Sequence, residues 1–185
     1  MTQAKMDELK IFKGDTVLLK GKKRKDTVCI ALAVEETDDL PDEKIRMNKV
    51  LRTNLGCSLS DNVTIHKIPN MPAAKRVHIL PFEDTVEGIT GNLTDIYLKP
   101  YFKDVFRPIH QGDRFKVKGG FREVEFKVVA TDPEPYCLVV GQTVIFDQGD
   151  SIKREDEDKK YNPSKLENKK LLWHGSRFSN FVGIM

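Results

Sequence analysis

The sequence feature that most constrains the fold is a strict alternation of apolar and polar residues on both sides of a glycine pair. Residues 114–118 read Arg-Phe-Lys-Val-Lys, Gly119 and Gly120 follow, and residues 123–128 read Glu-Val-Glu-Phe-Lys-Val. Because successive side chains of a strand point to opposite faces of a sheet, this pattern predicts two half-buried antiparallel strands. The glycine pair between them predicts the turn of a hairpin.

Short segments of β character recur along most of the chain. Residues 16–20 and 27–32 are rich in β-branched and apolar side chains, and the polar segment 21–26 between them predicts a hairpin loop. Further strands are predicted at 63–65, 77–80, 136–140 and 143–146, and helices at 49–54, before Gly56, and at 92–101. About eight short strands with few helical residues favour a mainly β fold of barrels or a sandwich.

Composition and charge exclude several classes of protein. The net charge of the 185 residues is only +3, which is too small to predict a nucleic-acid partner. No apolar stretch approaches the ~20 residues that span a bilayer, so no membrane partner is expected. The three cysteines, Cys29, Cys57 and Cys137, lie far apart and predict free thiols in a reducing compartment, either cytoplasm or nucleus.

Catalytic and metal-binding motifs are not found in the sequence. It contains no G-x-x-x-x-G-K-[ST] loop, so no ATPase site is predicted. His66, His78 and His110 are isolated and predict neither a metal site nor a catalytic triad. The basic residues 22–25 have two interpretations, a phosphate or import signal and a solvated hairpin tip, and the second is favoured because no aromatic residue stands beside them. The chain is therefore not expected to be an enzyme.

Several long strings are similar to a known family. They are residues 12–24, 45–50, 84–93, 97–102, 124–129 and 152–156. In one collinear register over residues 5–157, they resemble the N-terminal domain of AAA ATPases of the valosin-containing-protein type. The resemblance implies a double-psi β-barrel at residues 5–70 and a small four-stranded β-barrel at 75–150. A change of pattern around residues 81–87 independently predicts a junction between two subdomains.

In that family, the cleft between the two barrels binds adaptors of ubiquitin-dependent degradation, which carry ubiquitin-like folds or short helical peptides. The positions that match the cleft are Phe12, Asp15, Ile30, Leu32 and Phe106. The alternative for Ile30 and Leu32 is that they are core residues of their strand. A full-length AAA ATPase is a further implied partner.

The sequence departs from the family at three places. It begins where the family has its second strand, so we expect a truncated first barrel with an unpaired edge. An arginine-rich segment that packs on the ATPase ring is replaced by residues 54–59, which contain no arginine. Ala73 stands in place of a groove tyrosine.

The end of the chain has a different character. Residues 153–160 are charged and predict a solvated linker over residues 151–170. Residues 168–184 resemble the NAD-binding segment of poly(ADP-ribose) polymerases. The resemblance implies that His174 contacts a ribose hydroxyl and that Gly175 and Ser176 hold the nicotinamide amide. The family's later tyrosine and glutamate have no match.

We therefore expect residues 171–185 to be an inactive stub, disordered or forming a short helix. An incomplete and inactive fragment of an NAD-dependent ADP-ribosyltransferase is the alternative reading of the chain. No cofactor is expected, and NAD would be one only if the tail belonged to a complete transferase domain.

Overall fold

Nine short strands form most of the regular structure in the part of the chain that the structure describes. That part, taken from a computed structural model, comprises residues 1–34, 40–120, 122–147 and 151–154. The mainly β fold is as predicted. Most of the predicted linker and the whole predicted stub lie outside the described residues.

The first lobe comprises the elements from α1 to β3. It contains α1 (Gln3–Glu8), β1 (Thr16–Lys20), β2 (Asp26–Ile30), α2 (Lys49–Leu55) and β3 (Thr64–Lys67). The three strands form one sheet in the order β2-β1-β3, with β1 antiparallel to both neighbours. The predicted hairpin is thus present, and a 3₁₀ turn at Lys22–Arg24 connects its strands.

Asn48 and Gly56 set the two ends of helix α2. The side-chain oxygen of Asn48 accepts a hydrogen bond of 2.8 Å from the Leu51 amide, which satisfies one of the free donors of the first turn. Gly56 ends the helix with φ of 62°, a left-handed conformation that glycine adopts without steric cost. The predicted helix and its glycine stop are both confirmed.

The core of the first lobe is small. It consists of Met6, Ile11, Val17, Leu19, Ala31 and Leu55. Val17 and Leu19 occupy alternate positions of β1, as expected for a strand with one buried face. Met6 of α1 is completely buried, so the N-terminal helix completes this core.

The second lobe comprises the elements from β4 to β9. Its strands are β4 (Arg76–Pro81), β5 (Arg107–His110), β6 (Arg114–Gly119), β7 (Arg122–Asp132), β8 (Tyr136–Val139) and β9 (Val144–Phe146). They form a four-stranded sheet in the order β6-β7-β4-β9 and a two-stranded sheet of β5 and β8. The hairpin predicted from the alternating pattern is confirmed, since β6 and β7 pair with Val117 opposite Val124. Among the described residues none of the three sheets closes on itself.

Two predictions of local structure need correction in this lobe. The prediction of a subdomain junction at residues 81–87 is wrong. β4 lies before that segment, yet it pairs with β7 and β9 and so already belongs to the second lobe. The helix predicted at 92–101 is divided into a π-helical segment, Thr94–Leu98, and α4 (Lys99–Phe102). Pro100 is the second residue of α4, which continues directly from the π-helical segment. The remaining short helix is α3 (Glu83–Val86).

Aromatic side chains fill the core of the second lobe. The ring of Phe115 stacks between Tyr101 and Phe126, with centroid separations of 5.2 and 5.7 Å. Phe126 is fully buried. At the end of β6, a Cβ on Gly119 would lie 2.7 Å from the ring of Tyr97, so only glycine permits this close approach.

Candidate functional site

The open end of the β1–β2 hairpin brings four of the predicted groove residues together. Thr16 pairs with Ile30 at this end. The Ala31 amide donates to the Asp15 carbonyl and the Gly14 amide donates to the Ala31 carbonyl, both at 2.9 Å. These bonds hold Asp15 beside Ile30 and place Leu32 just beyond the hairpin.

The apolar side chains at this end face solvent. Phe12 is 68 % exposed, Leu32 59 % and Ile30 39 %, whereas Ala31 between the last two is buried. Ile30 and Leu32 therefore share the outer face and Ala31 points into the core, as the two-residue period of an extended chain requires. The alternative interpretation of Ile30 and Leu32 as core residues does not hold.

A lysine that sequence reasoning missed completes this group. Lys67 Nζ lies 2.6 Å from Asp15 Oδ2 and 4.8 Å from the centroid of the Phe12 ring. The Phe12 amide also donates to Asp15 Oδ2 at 2.7 Å. We call Phe12, Asp15, Ile30, Leu32 and Lys67 the hairpin patch.

The electrostatics of the patch follow from these contacts. The hydrogen bond from Lys67, and after it the one from the Phe12 amide, lower the pKa of Asp15 below its usual value. Asp15 is thus a carboxylate at neutral pH, and Lys67 is held above the Phe12 ring as a cation–π partner. Nothing near Phe12 in the sequence indicates Lys67, because only the strand register that sets Val17 opposite Lys67 brings it near.

The segment after β2 has a backbone partner where an unpaired edge was expected. The Met1 amine donates to the Leu32 carbonyl at 3.1 Å, and the Val34 amide donates to the Met1 carbonyl at 2.9 Å. The side chain of Met6 anchors the same N-terminal segment in the core. These bonds fix the backbone that carries Leu32.

Phe106, the fifth predicted groove residue, belongs to the second lobe. It is 66 % exposed and directly precedes β5, the strand that packs against β2. The structure therefore places four predicted residues on one lobe and Phe106 on the other, next to where the lobes meet. Ala73, the residue in place of the family's tyrosine, forms an isolated bridge with Leu138.

Polar side chains join the two lobes. The Thr27 hydroxyl donates to Asp113 Oδ2. The amide side chain of Asn54 donates to the Arg114 carbonyl at 2.9 Å and accepts from the Arg114 amide at 3.0 Å. His110 Nε2 lies 3.4 Å from Asp26 Oδ1. We call these six residues the lobe joint.

Burial dominates the electrostatics of the lobe joint. It raises the pKa of Asp113 to about 7, and the negative charge of Asp26 adds to the rise. The hydrogen bonds from Thr27 and from the His110 backbone act in the opposite direction. Asn54 belongs to the segment that replaces the family's arginine-rich stretch, so this segment contributes to contact between the lobes.

The other sequence predictions are placed as follows. In the basic segment, Lys22 forms an ion pair of 2.6 Å with Asp61, which raises the pKa of Lys22. Among the residues that the structure describes, no group of three or more histidine, cysteine and acidic residues is arranged to hold a metal ion. In the same residues, no helix has the length and apolar character needed to cross a bilayer. His174, Gly175 and Ser176 lie outside the described part, and their role stays a prediction.

Comparison with protein families agrees with this architecture. Residues 1–70 match the N-terminal domain of cell division protein 48, and residues 88–155 match domain 2 of the same protein. Residues 141–185 match the poly(ADP-ribose) polymerase catalytic domain, so this match overlaps the preceding one. Both predicted resemblances are confirmed. Through its first two matched segments the chain belongs to the N-terminal region of the cell division protein 48 family, and its end carries a segment of the poly(ADP-ribose) polymerase type.

Proposed function

We propose that the two lobes form an adaptor- or substrate-binding module, and that the hairpin patch with Phe106 is its binding groove. The adaptors are those of ubiquitin-dependent degradation, which present a ubiquitin-like fold or a short amphipathic helix. The observation that carries the proposal is the exposed apolar group of Phe12, Ile30 and Leu32 beside the Asp15–Lys67 pair. Apolar anchors next to a charged rim suit an amphipathic helix or an apolar loop tip.

Preorganisation of the patch supports this proposal. The Phe12 amide is bonded to Asp15, and the Phe12 ring lies under the Lys67 ammonium group, so the aromatic side chain is restrained before a partner arrives. The backbone of Leu32 is restrained by Met1. Restrained contact residues lose little conformational entropy on binding, which leaves more of the interaction free energy as affinity.

A binding measurement with a matched control tests the proposal. A ubiquitin-like adaptor domain should bind the wild-type chain with micromolar affinity, and Leu32→Asp should weaken binding at least about tenfold by burying a charge in an apolar contact. Leu59→Asp is the control, because Leu59 is 77 % exposed and close in sequence to Asp61, which pairs with Lys22 beyond the closed end of the hairpin. If the folded wild-type chain does not bind the adaptor, or if both variants lose the same affinity, the hairpin patch is not the binding groove.

The module is proposed to act without ATPase activity of its own. Its matched segments are N-terminal domains of the family, and its sequence lacks a phosphate-binding loop. A full-length AAA ATPase of the same family is a proposed partner, in the cytoplasm or the nucleus. Co-elution with such an ATPase in size-exclusion chromatography tests the partnership. ATP hydrolysis by the isolated chain would contradict the proposal that the module has no ATPase activity.

The match of residues 141–185 favours a second candidate, a fragment of an ADP-ribosyltransferase. His174, Gly175 and Ser176 are the residues that would hold NAD, and only this candidate needs that cofactor. We propose that the fragment is inactive. Incubation with labelled NAD should give no incorporation, and incorporation that disappears in His174→Ala would establish the enzyme instead.

A further inference from the structure

Two titratable side chains of the second lobe face β2 across the lobe joint. Asp113 accepts the hydrogen bond from Thr27, whose side chain is only 1 % exposed. His110 is 8 % exposed, and its Nδ1 lies 2.7 Å from the Gln111 carbonyl oxygen, which assigns the proton to Nδ1. The second ring nitrogen, Nε2, is buried without a hydrogen-bond partner and lies 3.4 Å from Asp26 Oδ1.

The charged and titratable groups around this pair come from both lobes. β2 contributes Asp26 and Cys29, and burial raises the pKa of the Cys29 thiol to about 11, so this thiol stays uncharged. α2 contributes the neutral amide of Asn54. On the second lobe, the Tyr136 ring lies 6.2 Å from that of His110, and the Arg114 guanidinium lies 4.8 Å from the centre of the Phe82 ring.

We propose that the lobe joint is a proton-operated latch, in which a proton on Asp113 holds β2 against the second lobe and its loss loosens the two lobes. A protonated Asp113 is uncharged, so it stays bonded to Thr27 without repelling Asp26. An ionised Asp113 places a second negative charge beside Asp26 in a site largely withdrawn from water.

The sign of the effect follows from proton linkage. Burial raises the pKa of Asp113 from its ordinary value of 3.8 to about 7, so the closed joint retains a proton that the open joint releases. Closure therefore weakens as the pH rises through this interval and levels off above it. Between pH 6 and pH 8, this single group lowers the closing equilibrium constant about tenfold.

The Arg114 amide is a direct reporter of the latch, because it donates across the joint to Asn54 Oδ1. Its hydrogen exchange in the full chain, divided by the intrinsic rate at each pH, should lose about tenfold protection between pH 6 and pH 8. In Asp113→Asn, which is neutral at every pH, this loss should disappear. Asp132→Asn is the control, because Asp132 pairs with Arg76 on the surface of the second lobe and should leave the pH dependence unchanged.

A second measurement tests the latch if the Asp113→Asn variant does not fold. The side-chain carboxyl carbon of Asp113, followed by NMR in the wild-type chain, should titrate near neutral pH. An Asp113 carboxyl that titrates near pH 4, or an Arg114 amide that loses equal protection in Asp113→Asn, would overturn the latch. Neither measurement uses an adaptor, so the result is independent of the proposed binding function.

Discussion

The two lobes differ in how they divide their apolar side chains between core and surface. In the described part of the chain, the hydrophobic core of the second lobe contains thirteen buried residues around an aromatic stack, whereas that of the first lobe contains six, none of them aromatic. Both lobes expose large apolar side chains, but the first lobe exposes Phe12, Ile30 and Leu32 together at the end of its hairpin. This difference indicates that the second lobe supplies most of the stability and the first lobe most of the proposed recognition, as is common for binding segments.

The largest effect is expected from removing an aromatic ring of the second core. Phe126→Ala deletes a fully buried ring that contacts Phe115 and Tyr97, and should lower the free energy of unfolding by about 3–5 kcal/mol. Urea unfolding measures the change. Phe106→Ala removes an exposed ring of the same size and should change stability by at most about 0.5 kcal/mol. Similar losses in both variants would contradict the division between core and surface.

A smaller loss is expected in the first core. Leu19→Ala removes a buried side chain from β1, and should cost an amount near the lower end of roughly 2–5 kcal/mol because a small core collapses more readily around the gap. Hydrogen exchange should show lost protection in β1 and β2, with β7 little changed. Equal loss of protection in β7 would show that the lobes unfold as one unit.

The lobe joint should contribute less to the free energy of unfolding than either core does. Asn54→Ala removes both hydrogen bonds to Arg114, and should cost about 1–3 kcal/mol because it leaves partly buried backbone groups without their partner. The neighbouring Thr53→Ala is the control, since the Thr53 hydroxyl bonds within α2 to the Lys49 carbonyl. If the two variants are equally stable by urea unfolding, Asn54 does not couple the lobes.

The smallest effect on stability is expected at the hairpin patch. Lys67 and the Phe12 amide lower the pKa of Asp15, so the folded form gains stability above the ordinary pKa and loses it as the pH falls through the lowered value. Asp15→Asn should therefore reduce the melting temperature slightly at pH 7 and leave it unchanged at the acid end. High salt should shrink the difference between variant and wild type. A larger loss in acid than at pH 7 would contradict this assignment.

The sequence predicts local features of this protein well because each depends on neighbouring residues. The alternating segments around Gly119 specify the β6–β7 hairpin, and Gly56 specifies the end of α2. Contacts between distant segments carry no local signal. The approach of Lys67 to Asp15 depends on the β1–β3 register, and that of Asn54 to Arg114 depends on how the lobes pack.

The difference between local features and long-range contacts also explains which sequence predictions needed correction. The junction predicted at residues 81–87 marks a real change of pattern, but β4 comes before this segment and pairs with β7 and β9, which come after it. The four residues of the first lobe that were predicted to line a groove are close in sequence, and the structure brings them together at the open end of the β1–β2 hairpin. Phe106 lies on the second lobe, directly before β5, which packs on β2.

The measurement that tests the central claim most directly is an NMR titration of the labelled chain with a ubiquitin-like adaptor domain. We predict that the amide shift changes concentrate at Phe12, Asp15, Ile30 and Leu32, extend to Phe106, and vanish in Leu32→Asp. A folded chain that shows no shift changes, or shows them on the second lobe alone, would contradict the assignment of the hairpin patch as the binding site.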